Sequence, residues 1–142
     1  MERITRIFRA QLTELDKMMQ WARDILDKSS LSAGEAKKFV LAIEEAVINI
    51  VQYAYPHPTG LIEITCEMDP SRGEVNFIFL DQGIPFNPLK QDYGPKNGIP
   101  MEELEAGGLG IHFIVQMTDQ VTYKREGDSN ILRLTKSVST KS

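Results

Sequence analysis

A long apolar stretch in the middle of the chain limits the folds that this sequence can adopt. Ten of the thirteen residues from 39 to 51, FVLAIEEAVINIV, are apolar, and the exceptions are Glu44, Glu45 and Asn49. A helix with so little polar surface must be buried nearly all round. The stretch therefore predicts a helix that packs against another layer of structure.

Signals for the two ends of this helix lie outside the apolar stretch. Ser32 followed three residues later by Glu35 is a capping box, in which each side chain bonds a backbone amide at the helix start. Pro56 and Pro58 remove backbone donors and disfavour helix. The sequence predicts a helix from about Ser32 to about Tyr55.

Two strands follow the helix and are separated by a turn-forming segment. Residues 62–68 alternate, which predicts one buried face and one face in contact with water. The turn is 70–73, PSRG, and the run 74–80 is the second strand of an antiparallel hairpin. The apolar set is Ile62, Ile64, Cys66 and Met68, and the polar set is Glu63, Thr65, Glu67 and Asp69.

The other elements are assigned by the same periodicities. The sequence predicts a strand at 2–9 and a first helix that begins after a Thr13 cap with Asp16 three residues on. It further predicts a long loop over 83–108, a helix at 109–117 and a hairpin formed by 119–125 and 129–135. This order predicts an α+β fold in which helices cover one face of a mixed, mostly antiparallel sheet.

Length and charge exclude several classes of protein. The chain has 142 residues, a length that suits one domain over 1–142. Its net charge of -4 disfavours duplex DNA as a partner. It has no apolar run of 18 residues and no signal peptide, so a cytoplasmic protein without a membrane anchor is expected. A lone Cys66 is interpreted as structural, and residues 137–142 are expected to fray.

Polar side chains at two places in the predicted core suggest a functional role. Glu45 and Asn49 are one helical turn apart on the same face, where they either bond each other or a nearby loop, or border a ligand cavity. Asp81 ends a buried strand, and Gly83 follows it. A carboxylate can act as a general base, and an amide oxygen can bind Mg²⁺.

The predicted third helix begins in a glycine-rich segment. The sequence GGLGI at 107–111 places Gly107, Gly108 and Gly110 where free backbone amides favour phosphate and glycine permits close approach. The segment is neither a P-loop nor a dinucleotide fingerprint, because the lysine and the preceding strand are absent.

Taken in order, three motifs resemble those of the GHKL nucleotide-binding superfamily, and most closely those of bacterial anti-sigma factor serine kinases. The motifs are EAVIN at 45–49, DQGIPF at 81–86 and GGLGI at 107–111. The segments NIVQYAYP at 49–56 and MTDQVTYKREGDSNILRLTK at 117–136 are similar to that family as well. The resemblance implies a two-layer α/β sandwich of the Bergerat type.

The resemblance also implies a role for each motif residue. Glu45 would be the catalytic base, Asn49 the Mg²⁺ ligand, and Asp81 the acceptor of the adenine amino group. Gly83 would leave room for the base, and residues 87–106 would form the ATP lid. The remaining nucleotide-binding positions implied are Phe86, Gly107, Gly108, Leu109, Gly110 and Ile111.

The same resemblance implies cofactors and partners. ATP and Mg²⁺ would be the cofactors, and the chain would phosphorylate a small anti-sigma-factor antagonist and sequester a sigma factor, with a homodimer as one oligomeric state. The sequence departs from the pattern of that family at two places. Tyr53 stands where many relatives have histidine, and no basic residue precedes Gly107. Two alternatives stay open: an ATP-binding module without phosphotransfer, and an α/β domain whose buried polar residues are structural.

Overall fold

The computed structural model describes residues 2–55, 60–88 and 114–138. A 3₁₀ turn precedes the first helix, a π-helical turn follows the second, and residues 114–117 are helical. The elements are strand β1 (Glu2–Arg9), helix α1 (Leu15–Leu26), helix α2 (Ala33–Asn49), and strands β2 (Leu61–Asp69), β3 (Glu74–Asp81), β4 (Gln120–Glu126) and β5 (Ser129–Ser137).

The five described strands form one sheet in the order β1-β2-β3-β5-β4, and all four pairings are antiparallel. Both helices pack on one face of it. The ring of Phe77 in β3 meets Trp21 of α1 at 6.4 Å and Phe39 of α2 at 5.5 Å, both edge to face. The α+β sandwich predicted from the sequence is confirmed, although no parallel pair occurs among the described strands.

The helix starts differ in how well the sequence predicted them. At α2 the Ser32 Oγ accepts from the Glu35 amide at 3.1 Å, and the Glu35 carboxylate accepts from the Ser32 amide at 3.0 Å. The predicted capping box is thus confirmed. The Thr13 cap is wrong, because Thr13 lies inside the 3₁₀ turn and α1 begins at Leu15 after Glu14, which caps nothing with its side chain.

Helix α2 continues as predicted to the edge of Tyr55, but its last turn is unusual. Residues Ile50–Ala54 form a π-helical turn, which widens the backbone spiral directly after Asn49. Such turns are rare and occur often near functional sites. The helix is buried on most sides, and Leu41, with 42% of its surface exposed, is the clearest exception.

The polar residues on the outer face of the sheet are less exposed to solvent than the alternation in β2 predicted. Thr65 is 3% exposed and Glu67 is 8% exposed. The Glu67 carboxylate accepts from Arg3 of β1 at 2.7 Å and from Arg133 of β5 at 3.0 Å. Long side chains from neighbouring strands therefore cover the polar residues of β2, a contact that the sequence of one strand cannot show.

The last described residues and the cysteine both belong to the packed structure. Strand β5 extends through Ser137, and the Val138 amide donates to the Gly73 carbonyl at 2.6 Å. Of the segment predicted to fray, residues 137 and 138 are thus hydrogen-bonded, and residues 139–142 lie outside the described residues. Cys66 is buried and free, and burial raises its pKa to about 12. Within the described ranges no helix is long and apolar enough to cross a membrane.

Candidate functional site

Helix α2 places an unpaired oxygen inside the protein. Asn49 is 2% exposed, and its Oδ1 finds no hydrogen-bond partner among the described residues. A buried amide oxygen left unpaired costs about 1–3 kcal/mol. The purely structural alternative predicts that this oxygen is tied to a neighbour, and the described part of the chain supplies none. Among the described residues the atom is thus left without a donor.

Glu45 lies one helical turn before Asn49 and is half-buried. Partial burial raises the pKa of its carboxyl, and the charge of neighbouring Glu44 raises that pKa further. A carboxylate with a raised pKa is a better proton acceptor near neutral pH than an ordinary one. The position suits a general base.

The second polar group of the site stands at the end of β3. Asp81 is 2% exposed, and its Oδ1 accepts from the Gly83 amide at 2.9 Å and from Asn130 Nδ2 at 2.8 Å. Burial raises the pKa of Asp81, and these two hydrogen bonds and the charge of Arg125 only partly oppose the rise. Oδ1 is the acceptor in both of these bonds, and neither donor bonds Oδ2.

Asn130 is a site residue that the sequence reasoning missed. It pairs directly with Asp81 across β3 and β5, so both side chains lie on the helix-facing side of the sheet. A signal was present in the sequence. Asn130 is in phase with Leu132 and Leu134, the inward-facing residues of its strand, and a polar residue in an inward set needs a partner.

The loop after Asp81 is fastened to the end of α2. The Ile84 amide donates to the Ala54 carbonyl at 2.8 Å, and the Gln82 amide donates to the Tyr55 hydroxyl at 2.8 Å. A β-carbon on Gly83 would lie 2.2 Å from the Ala54 carbonyl oxygen. Glycine is thus required at 83 by the approach of the helix end, whatever its role toward a nucleotide.

Asn49, Asp81 and Phe86 meet around one small cavity, with a volume of about 10 Å³. That space holds about one water molecule. The ring of Phe86 stacks on Tyr53 with centroids 5.3 Å apart. The other described residues that line the cavity are Ala46, Ile50, Pro88, Tyr123, Asn130 and Leu132.

Glu45 and Gly83 are predicted site residues that the described lining of this cavity does not include. The predicted Gly107, Gly108, Leu109, Gly110 and Ile111 lie outside the described residues, as do residues 89–106 of the predicted lid. Larger cavities of about 330 Å³ between α1 and α2 and about 290 Å³ beside the β2–β3 turn contain none of the predicted site residues.

The described side chains suit magnesium better than a protein-enclosed metal. No cluster of three or more histidine, cysteine, aspartate or glutamate side chains that could hold an ion occurs in the described ranges. Magnesium commonly takes one or two protein oxygens and completes its shell with water and phosphate. The unpaired Oδ1 of Asn49 fits that pattern.

Comparison with known proteins agrees with this geometry. A family described as "Histidine kinase-like ATPase domain" matches residues 8–136. The serine-protein kinase RsbW of Bacillus thuringiensis (strain Al Hakam) is 29% identical over 111 residues, which are 76% of this chain and 68% of that protein. The RsbW of Bacillus mycoides (strain KBAB4) is similar to the same extent.

Two solved structures share the fold. A crystal structure of RsbU and RsbW domains from Mycobacterium tuberculosis superposes with a TM-score of 0.67 at 13% identity, over 96% of this chain and 32% of that one. This chain therefore spans about a third of that larger protein. The histidine kinase domain of a blue-light activated kinase from Erythrobacter litoralis gives a TM-score of 0.55 at 14% identity, over 89% and 60%.

The match over 8–136 covers nearly the whole chain, and the sheet and helices described above agree with it. The chain belongs to the histidine kinase-like ATPase domain family.

Proposed function

We propose that this protein is an ATP-dependent serine-protein kinase that phosphorylates a small anti-sigma-factor antagonist and sequesters a sigma factor. The observation that carries the proposal is the buried Oδ1 of Asn49, which has no partner within residues 2–55, 60–88 and 114–138. Asn49 lies one turn from Glu45 and lines the same cavity as Asp81. The Bacillus relatives, which bear the name serine-protein kinase, support the choice of reaction.

Asp81 would recognise the purine end of the nucleotide. Its Oδ1 is engaged by Gly83 and Asn130, and Oδ2 can accept from an exocyclic amino group. Adenine carries its amino group at C6, whereas guanine carries a carbonyl oxygen at that position. The arrangement thus favours ATP over GTP.

Asn49 and Glu45 would act at the phosphate end. Asn49 Oδ1 would hold Mg²⁺, which when bound neutralises charge on the phosphates during transfer. Glu45 would accept the proton of the attacking serine hydroxyl, and its raised pKa suits that task. The glycines at 107, 108 and 110 would supply backbone amides to the phosphates.

Nucleotide binding would require the ring of Phe86 to move. A cavity of about 10 Å³ cannot hold a purine ring, and the ring of Phe86, stacked on Tyr53, lies at its edge. Rotation of this side chain would widen the space beside Asp81.

A second candidate is an ATP-binding regulatory module without phosphotransfer. The observation that favours it is Tyr53, whose ring is engaged in the stack with Phe86, at a position where many similar kinases have histidine. Such a module would hold or release its partner according to the nucleotide bound.

Two measurements separate these functions. Calorimetry of the whole chain with ATP and Mg²⁺ tests nucleotide binding, and absence of heat would contradict both candidates. Incubation with γ-labelled ATP and a purified antagonist-type domain from the same genome tests transfer. Label on a serine of that domain is expected for the kinase, whereas binding without label would favour the module.

A further inference from the structure

We infer that Asn130 is a positioning residue that orients Asp81 and thereby sets the preference of this protein for adenine over guanine. The inference rests on the proposed function, because it concerns the base end of the same nucleotide site. It adds a residue from β5 to a site whose other members come from α2 and the end of β3.

The register of the sheet places the two side chains together. Asp81 and Asn130 are direct partners across β3 and β5, and Asn130 Nδ2 donates to Asp81 Oδ1 at 2.8 Å. The next residue in the same row is Arg125 of β4, whose guanidinium donates to the Gly83 carbonyl at 2.8 Å. Strand β5 and its neighbour β4 thus hold both ends of the segment from Asp81 to Gly83.

All four hydrogen-bonding positions of the Asn130 amide are used. Nδ2 donates to Asp81 Oδ1 and to the Ile84 carbonyl, each at 2.8 Å. Oδ1 accepts from the Phe86 amide at 3.3 Å and from the Tyr123 hydroxyl. A primary amide has two donor hydrogens and two acceptor lone pairs, so nothing more can be satisfied. Asn130 is 3% exposed.

This network fixes which way the amide faces. Exchange of its oxygen and nitrogen would set oxygen against the Asp81 carboxylate and the Ile84 carbonyl, and an NH₂ group against the Phe86 amide. Each of those contacts would join two acceptors or two donors. The donor side of Asn130 must therefore face Asp81.

The consequence for Asp81 is that the two hydrogen bonds hold one carboxylate oxygen in place, and the other oxygen would face the base of the nucleotide. Oδ1 takes two donors, from Gly83 and Asn130, and Oδ2 takes neither. Loss of Asn130 would leave the carboxylate with one fixed bond and free to turn about its terminal torsion. Adenine would then lose a well-placed acceptor, and guanine would lose the repulsion between its carbonyl oxygen and the carboxylate.

The test is the ratio of the dissociation constants for ATP and GTP, measured by calorimetry with Mg²⁺ on the whole chain. We expect Asn130→Ala to weaken ATP binding about 10-fold and to lower the preference for ATP by about the same factor. In case that variant does not fold, Asn130→Leu, of similar size and without a donor, serves for the same measurement.

A control variant separates positioning from a general loss of stability. Asn76→Ala removes another buried asparagine from β3, bonded to Thr135 on the outer face at 2.5 Å. It should lower the melting temperature and leave the ratio unchanged.

An unchanged ratio in a folded Asn130 variant would overturn the inference and leave the proposed function standing. If the unaltered protein binds neither nucleotide, the proposed function fails instead. A ratio that falls equally in Asn76→Ala would show a non-specific effect and would also overturn the role of Asn130.

Discussion

Gly83 lies so close to Ala54 that a β-carbon at position 83 would come within 2.2 Å of the Ala54 carbonyl oxygen. The same carbonyl accepts from the Ile84 amide at 2.8 Å. This contact joins the π-helical turn after Asn49 to the loop after Asp81. The two polar groups of the site are therefore held on parts of the chain that contact each other.

Replacement of Gly83 by alanine should destabilise the protein by about 1–3 kcal/mol, because the added methyl group meets backbone atoms that cannot rotate away. Urea denaturation measures the change. Gly34→Ala is the matched control, since a β-carbon there meets nothing within 4 Å and the residue lies in the first turn of α2. That variant should be neutral or up to about 1 kcal/mol more stable. Equal effects at the two positions would contradict the close approach.

Asp81→Asn should weaken ATP binding about 10- to 150-fold, because a hydrogen bond to a charged acceptor, worth about 1.5–3 kcal/mol, is lost. The measurement is calorimetry with ATP and Mg²⁺. Asp69→Asn, at the exposed β2–β3 turn, is a control that changes the same charge and should leave the affinity unaltered. Unchanged affinity in Asp81→Asn would remove Asp81 from the base site.

The same variant should also show a distinct dependence of stability on pH. Burial raises the native pKa of Asp81 above its unfolded value of about 3.9, so the native state binds more protons between those two values. The free energy of unfolding contributed by this group therefore falls as pH rises through that window. The amide of the Asp81→Asn variant does not titrate, so the stability difference should move in favour of that variant as pH rises above about 3.9. A constant difference would contradict the raised pKa.

Glu45→Gln should lower phosphotransfer by about 10²–10⁴-fold and leave ATP affinity nearly unchanged, because a general base acts on the attacking group rather than on nucleotide binding. Labelled ATP and an antagonist-type domain provide the rate. At a pH above the acidic limb of the rate profile, Glu44→Gln is the control for charge and should keep transfer, since its side chain points in another direction on the helix. Full transfer by the Glu45 variant would show that this carboxylate is not the base.

Glu44→Gln should instead shift the pH dependence of the rate. The charge of Glu44 contributes to the raised pKa of Glu45, so its removal should lower that pKa toward the ordinary value. A base works when deprotonated, and the acidic limb of the rate profile should therefore move to lower pH. A limb that stays in place would mean that the titrating group of the reaction is not Glu45.

The sequence predicted most of the elements because their signals are local. The capping box at Ser32, the apolar run to Tyr55 and the alternation in β2 each depend on residues a few positions apart, and the structure confirms the elements that they predict. The polar exceptions in the apolar run also marked Asn49, since a buried amide without an apparent partner is unusual in any fold.

The sequence by itself determined the helices, the strands and the residues whose burial demands a partner. The tertiary structure decided which partner each of them has. Asn130 joins Asp81, and Arg3 and Arg133 cover Glu67, only because β5, β3, β2 and β1 pair in one particular register. Register depends on contacts between residues far apart in the chain, 49 positions in the case of Asn130 and Asp81, and no local pattern contains that information.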